Sequence, residues 1–176
     1  MIDDPRYPVG KFLKPNSVSL EQLEQYIQEI SMAPGQLREA VRGLDDPRLD
    51  TPYRQGGWTV RQVVHHLPDS HANAYVRFKL ALTEHEPLVR TYEEKLWAEL
   101  PEAKSAPVEI SLALLEALHA RWLSCIRGLS PEAFKRTYRH PVSGLTSLNE
   151  LLALYSWHGR HHVAQITSLC RRNGWK

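Results

Sequence analysis

Cysteine is scarce. Cys125 and Cys170 are the only two in 176 residues, which excludes a disulfide scaffold and predicts a cytoplasmic protein with reduced thiols. Charge of one sign is also missing. Lys and Arg total 22 against 20 Asp and Glu, a formal net charge of +2 with neutral histidines, so there is no basic footprint for a nucleic acid. No apolar run approaches the ~18 residues that a membrane span requires. The opening Met1-Ile2-Asp3-Asp4-Pro5-Arg6 is acidic and broken by proline, unlike a secretory signal. No P-loop pattern, internal repeat or low-complexity stretch occurs. Disorder is excluded as well, because 42% hydrophobic and 24% charged residues are the composition of a globular protein. The length suits one domain over residues 1–176. Histidine is what the sequence has in quantity. There are nine, and six of them fall within residues 65–71 and 158–162.

Residues 1–17, punctuated by Pro5, Pro8, Gly10 and Pro15, read as an extended arm lying on a core. Ser17 or Ser19 can cap a first helix whose apolar positions are Leu20, Leu23, Ile27 and Ile30. Pro34-Gly35 interrupts that pattern before Leu37, Val41 and Leu44 resume it, which predicts a kinked helix or two helices end to end. Asp45-Asp46-Pro47 should stop it, with a loop over 47–57. Thr59 can cap a second helix running to about Thr83, with Val60, Val64, Leu67, Ala74, Phe78 and Leu82 as its stripe. Residues 84–109, with Pro87, Pro101 and Pro107, read as a long connection in which Tyr92, Leu96, Trp97 and Leu100 seek burial. A third helix follows on Leu112, Leu115, Leu118, Trp122 and Ile126. A turn and short hairpin fit 130–146. A fourth helix carries Leu148, Leu151, Leu152, Tyr155, His162, Ile166 and Leu169 and ends near Asn173-Gly174. The sum is an all-α protein, a four-helix bundle with an extended N-terminal arm and long connecting loops.

His158 and His162 lie four apart on the fourth helix, so both project from one face about a turn apart. Two imidazoles so placed can bind one transition metal, or can be hydrogen-bonded core residues. A third ligand would come from elsewhere, and the second helix offers His65, His66 and His71. At ~100° per residue, His71 falls near the middle of the apolar stripe, with His66 and His65 on opposite flanks. Periodicity does not choose among them. The flank of His66 continues as a polar row through Ser70, Asn73 and Arg77, which suits either an interhelical cavity or a solvent face. His119, on the apolar side of the third helix, reads as a satisfied core histidine.

Gly57-Trp58-Thr59-Val60-Arg61-Gln62-Val63-Val64-His65-His66-Leu67, with Asp69-Ser70-His71 after it, resembles the signature of the YfiT-like branch of the DinB superfamily. So do Tyr7-Pro8-Val9-Gly10, Thr51-Pro52-Tyr53-Arg54, Leu118-His119-Ala120-Arg121-Trp122 and Trp157-His158 through His162. The similarity spans nearly the whole chain. It implies a bundle that holds one divalent metal on three histidines, one immediately before a leucine on the second helix and two from an H-x-x-x-H pair on the fourth. On this chain those positions are His66, His158 and His162, with His65 and His161 beside them. The departure is Pro68, where alanine is usual. The resemblance also implies a homodimer.

Three neutral imidazoles leave a fourth position open to water or substrate. An all-nitrogen set fits zinc, nickel, cobalt or copper, and the sequence does not select among them; zinc is the leading expectation, with nickel as the alternative. Water at such a zinc ionises near pH ~7, and a coordinated thiol loses its proton readily. The resemblance implies one use of such a site, a metal-dependent hydrolase acting on a small molecule, and this is the expectation. It also implies the close alternative, a metal-dependent S-transferase using a low-molecular-weight thiol of the bacillithiol type. A non-enzymatic metal-binding or interaction bundle stands third. No glutamate neighbours His158, so no zinc-protease arrangement supplies a base. Asp69, Asn73 and Gln165 are the weak candidates for substrate orientation, base or ligand support, and Tyr155, Arg77 and Arg160 are further polar possibilities.

Overall fold

A computed structural model describes residues 4–175. In chain order its helices are α1 (Leu20–Val41), α2 (Asp46–Leu49), α3 (Val60–Thr83), α4 (Glu94–Ala98), α5 (Pro101–Ser105), α6 (Val108–Ile126) and α7 (Leu148–Arg172). A 3₁₀ turn (Pro131–Lys135) and an antiparallel hairpin, β1 (Thr137–His140) with β2 (Gly144–Ser147), join α6 to α7. No helix among the described residues is long and apolar enough to cross a membrane.

Three of the four long helices begin with a reciprocal cap. Ser19 pairs with Gln22, Thr59 with Gln62 and Ser147 with Glu150, the side chain of each cap accepting from the backbone three residues on while that residue's side chain accepts in return. Each such cap contributes about 1 kcal/mol and fixes where the helix starts. Gly174, at φ +64°, follows the end of α7. It takes the left-handed conformation that lets the chain turn away from the helix.

The long helices pack in a ring. α1 lies against α6 and α7, and α3 lies against the same two, so α1 and α3 oppose each other across the bundle. The connection from α1 to α3 is anchored by Arg61, a buried side chain on the first turn of α3. Its guanidinium donates to Asp46 at 2.7 Å, Asp50 at 2.6 Å and the Ala106 carbonyl at 3.1 Å, tying α2 and the α5–α6 junction to the helix that carries His66.

The apolar interior is divided. One cluster gathers Ile30, Ala74, Phe78, Trp122, Leu151 and Tyr155. The other gathers Leu37, Val64, Leu67, Leu115, Ile166 and Leu169. Between them, on α3, α6 and α7, stand His66, His71, His119, His158 and His162. The fold thus places a layer of imidazoles across the middle of an otherwise ordinary bundle core.

Several expectations change. Of the two alternatives at Pro34-Gly35, two helices end to end is set aside, since α1 is one helix through Pro34; α3 runs through Pro68 to Thr83 as the stripe predicts. One missing donor is tolerated when packing on both sides holds the remaining turns. Asp45-Asp46-Pro47 does not simply stop α1. Asp45 accepts from the Arg48 backbone and caps α2, with Pro47 suited to its first turn. The 84–109 connection contains α4 and α5 and buries Ala98 and Ala103, while Leu96, Trp97 and Leu100 stay substantially exposed. The extended arm is present. Trp157 Nε1 donates to the Gly10 carbonyl at 3.1 Å, and Phe12 packs against the same indole.

Candidate metal centre

His65 and His66 are adjacent on α3 and about 100° apart around it. His65 faces the start of α6, where Ser111 Oγ stands 2.6 Å from Nδ1, and the α5–α6 junction, where the Ala106 carbonyl stands 3.1 Å from Nε2. The carbonyl can only accept, so Nε2 carries the proton and Nδ1 accepts from the serine. Both ring nitrogens are occupied. His66 faces α7, where its Nε2 lies 3.3 Å from Nε2 of His158 and its ring packs edge-on to that of His162, 4.9 Å between centroids. Trp58 covers the other side of the His66 ring at 4.8 Å.

His66, His158 and His162 offer ring nitrogens within 4.8 Å of one another. Two nitrogens each about 2.05 Å from a tetrahedral ion stand about 3.3 Å apart, which is the separation of the His66–His158 pair. The protonation states favour a cation too. Burial first, then the charge of His161, pulls His66 down to about 4. Burial first, then the neighbouring imidazoles, holds His158 and His162 well below the usual histidine range. All three are neutral near pH 7 and present lone pairs, the form a metal requires. Among the described residues no carboxylate is hydrogen-bonded to any of them.

Gln165, one turn beyond His162, sits between two histidines. Its Oε1 is 2.8 Å from His162 Nδ1, and its Nε2 donates to His161 Nε2 at 3.0 Å. The carbonyl end accepts from His162 Nδ1–H, leaving His162 Nε2 unprotonated. His161 therefore has its acceptor nitrogen filled, and its ring stacks on Trp157 at 4.4 Å.

These side chains open onto a cavity of about 750 Å³. Its walls include His66, His158, His161, His162 and Gln165, together with Tyr7 and Arg6 of the arm, Tyr53, Arg54 and Gly56 to Trp58 of the turn before α3, and Glu94, Lys95 and Glu99 of the α4 region. Two glycines permit this geometry. A Cβ on Gly57 would meet Arg54 Cγ at 2.8 Å and Tyr53 Cε1 at 3.0 Å, so only glycine lets the turn close on the cavity. A Cβ on Gly159 would meet Ala33 Cβ at 3.0 Å. Glycine there lets α7 lie close to α1 between His158 and His162.

The other singled-out residues fall elsewhere. Asp69 and Asn73 do not line the cavity. Asp69 is half-buried, with burial first and then Glu102 raising it to about 6, and Asn73 Nδ2 donates to the Asp69 carbonyl. Tyr155 donates to the Ser70 carbonyl at 3.1 Å, Arg77 to the Arg90 carbonyl at 2.9 Å, and Arg160 pairs with Glu29 at 3.2 Å. His119 has both ring nitrogens within hydrogen-bond reach of partners, as the core reading expects. One of those partners is His71, a contact across 48 residues of sequence for which periodicity carries no signal. The wall supplied by the arm and by α4 was equally invisible to helical patterns, although Tyr7-Pro8-Val9-Gly10 and Tyr53-Arg54 are among the segments that resemble the family.

Fold and site together define a class, that of four-helix bundles with a histidine cluster opening onto a ligand-sized cavity. Comparison with known proteins makes the assignment narrower. The family model of the DinB superfamily matches residues 29–166. A solved structure, YfiT from Bacillus subtilis, superimposes with a TM-score of 0.95 at 50% identity, covering 98% of this chain and 99% of that one. It is described as "a probable metal-dependent hydrolase with an unusual four-helix bundle topology". Proteins of Bacillus cereus (strain 03BB102) and Bacillus thuringiensis subsp. konkukian (strain 97-27), each named "Putative metal-dependent hydrolase", are 51% identical over 99% of this chain and 100% of their own length. The chain belongs to the DinB superfamily, in its YfiT-like branch.

Proposed function

We propose that this protein is a metal-dependent hydrolase of small molecules, with a divalent cation held by His66, His158 and His162. The observation that carries the reading is the convergence of three neutral, largely buried imidazoles, their nitrogens within 4.8 Å, on the wall of a cavity of about 750 Å³. A cavity of that size takes a small molecule. The donor set suits zinc, with nickel next. When bound, such an ion supplies Lewis acidity toward a substrate oxygen and brings the ionisation of water to near pH ~7. The chain's own residues do the rest. Gln165 orients His162. Trp58 and Trp157 form apolar walls that limit water, and the arm, through Tyr7, adds a further wall.

A second reading, transfer of a low-molecular-weight thiol to an electrophile, is favoured by one specific observation. The carboxylates lining the cavity, Glu94 and Glu99, are both exposed, and Glu99 pairs with Lys104 at 2.6 Å. Among the described residues no buried carboxylate lines the cavity as a base for water, whereas a metal held by the three histidines would lower the pKa of a coordinated thiol enough for solvent to take its proton.

Elemental analysis of untagged protein tests the shared premise, with about one transition metal per chain as the expected result. Assays of the zinc-loaded protein then divide the readings. Hydrolysis of a panel of small esters and amides that stops with chelator and returns with zinc supports the first. Zinc-dependent consumption of a free thiol and an electrophile, without hydrolysis, supports the second. Metal-free protein that also refuses added zinc and nickel overturns both.

A further inference from the structure

Two histidines have no part in the site as described, although they lie deepest in the imidazole layer. His71 on α3 and His119 on α6 are 0% and 1% exposed. Replacing them with apolar residues would join the two halves of the core, so their presence at the centre asks for a reason. We propose that His71 and His119 are positioning residues. With the Ile30 carbonyl they form a directional hydrogen-bond chain that keeps the Nε2 lone pair of His158 free for a metal. The proposal rests on the three-histidine metal site argued above.

The direction follows from its anchor. The Ile30 carbonyl, on α1, is 2.7 Å from His119 Nδ1. A carbonyl only accepts, so His119 Nδ1 donates. A neutral imidazole has one N–H, so His119 Nε2 is an acceptor. It stands 2.8 Å from His71 Nδ1, which must donate. His71 Nε2 is then the acceptor, 3.2 Å from His158 Nδ1, which donates in turn. The last nitrogen, His158 Nε2, is left bare and faces His66 Nε2 at 3.3 Å. One backbone carbonyl thereby sets the tautomer of three successive rings on α6, α3 and α7. Running the chain in the opposite sense needs an extra proton. That would put a positive charge on His119, a ring packed against Trp122 with no carboxylate among the described residues hydrogen-bonded to it.

The chain also differs in kind from the support given to His162. Gln165 fixes that ring through a side-chain amide, which can rotate to offer NH₂ in place of oxygen. A helix carbonyl cannot. The ring of His158 is further clamped by the face of Tyr155, 5.5 Å between centroids, so both its protonation and its orientation are set by buried groups.

Two measurements test the proposal. In metal-free, ¹⁵N-labelled wild-type protein, long-range ¹H–¹⁵N correlation spectra should show the proton on Nδ1 in His119, His71 and His158. A proton on Nε2 of His158 or His71 overturns it. In zinc titrations against a chromophoric chelator, His71→Phe and His119→Phe should bind 10- to 100-fold more weakly than wild type, while still taking one zinc at saturation. His119→Gln, whose amide can both donate to Ile30 and accept from His71, should recover most of the loss. That rescue would not follow from a role in packing alone. Wild-type zinc binding with unchanged affinity in both phenylalanine variants overturns the chain and leaves the metal site standing. A wild type that binds no zinc removes the site itself, and the tautomer spectra then still judge the chain. They judge it equally if the phenylalanine variants do not fold.

Discussion

The two faces of α3 at His65 and His66 carry the same side chain to opposite ends. On the α6 side, a serine hydroxyl and a backbone carbonyl consume both nitrogens of His65. On the α7 side, His66 meets only other imidazoles and an indole. A buried histidine whose polar atoms are all paired is structural, and its removal is felt in stability. A buried histidine that faces further lone pairs is complete only with a cation or an added proton between them. A histidine's role is therefore read from what answers its two nitrogens, and burial alone does not distinguish the cases.

The sharpest way to break this comparison is by substitution on each face. His66→Ala, His158→Ala and His162→Ala should each weaken zinc binding at least ~100-fold, since removing one of three ligands forfeits most of a site's affinity. His65→Ala should leave zinc affinity within about threefold. A chelator-competition titration measures all four. Equal loss from His65→Ala would erase the distinction between the faces.

Acid should act next, and on the layer as a whole. His66 and His119 are held down to about 4, in both cases by burial above all, against about 6.5 in an unfolded chain. Unfolding takes up protons between those values. The stability of metal-free protein is therefore fully present above about pH 6.5 and is lost as pH falls toward 4. One such imidazole contributes a loss of about 2 kcal/mol at pH 5 relative to pH 7. Urea unfolding at the two pH values should show a fall of at least that size, and a flat profile would contradict the buried, neutral layer.

Smaller effects sharpen the picture. Gln165→Leu should reduce zinc affinity about 10-fold by releasing the His162 ring, whereas Gln165→Glu, which keeps an acceptor for His162 Nδ1–H, should retain most of it. The same titration checks both. His65→Ala should lower stability by about 1–2 kcal/mol through the unpaired Ser111 hydroxyl and Ala106 carbonyl, visible as a lower melting temperature with metal uptake intact.

Much of the fold was legible because the bundle obeys local rules. Thr59 as a cap, the stripe from Val60 to Phe78 and the end of α7 near Asn173-Gly174 are all set by neighbours in sequence. At Pro34-Gly35 the sequence left a kinked helix and two separate helices open, and packing that outweighs a single missing donor keeps one helix; the plain stop at Asp45-Asp46-Pro47 went astray because Asp-Asp-Pro can start a helical turn as well as end one. At the site, the H-x-x-x-H spacing brought His158 and His162 to one face, but periodicity left His65, His66 and His71 open as a third partner. That choice depends on which helix faces each flank, a property of the assembled bundle. The His119–His71–His158 contacts join three helices, and no local pattern encodes them.

The central claim is that His66, His158 and His162 hold one metal through their Nε2 atoms. Anomalous diffraction from crystals of zinc-loaded protein, collected on both sides of the zinc absorption edge, tests it most directly. The account predicts one strong peak per chain, about 2.0–2.1 Å from the three Nε2 atoms and open to the cavity. A peak elsewhere, or zinc held through His65 or His161 in place of one of the three, would contradict it.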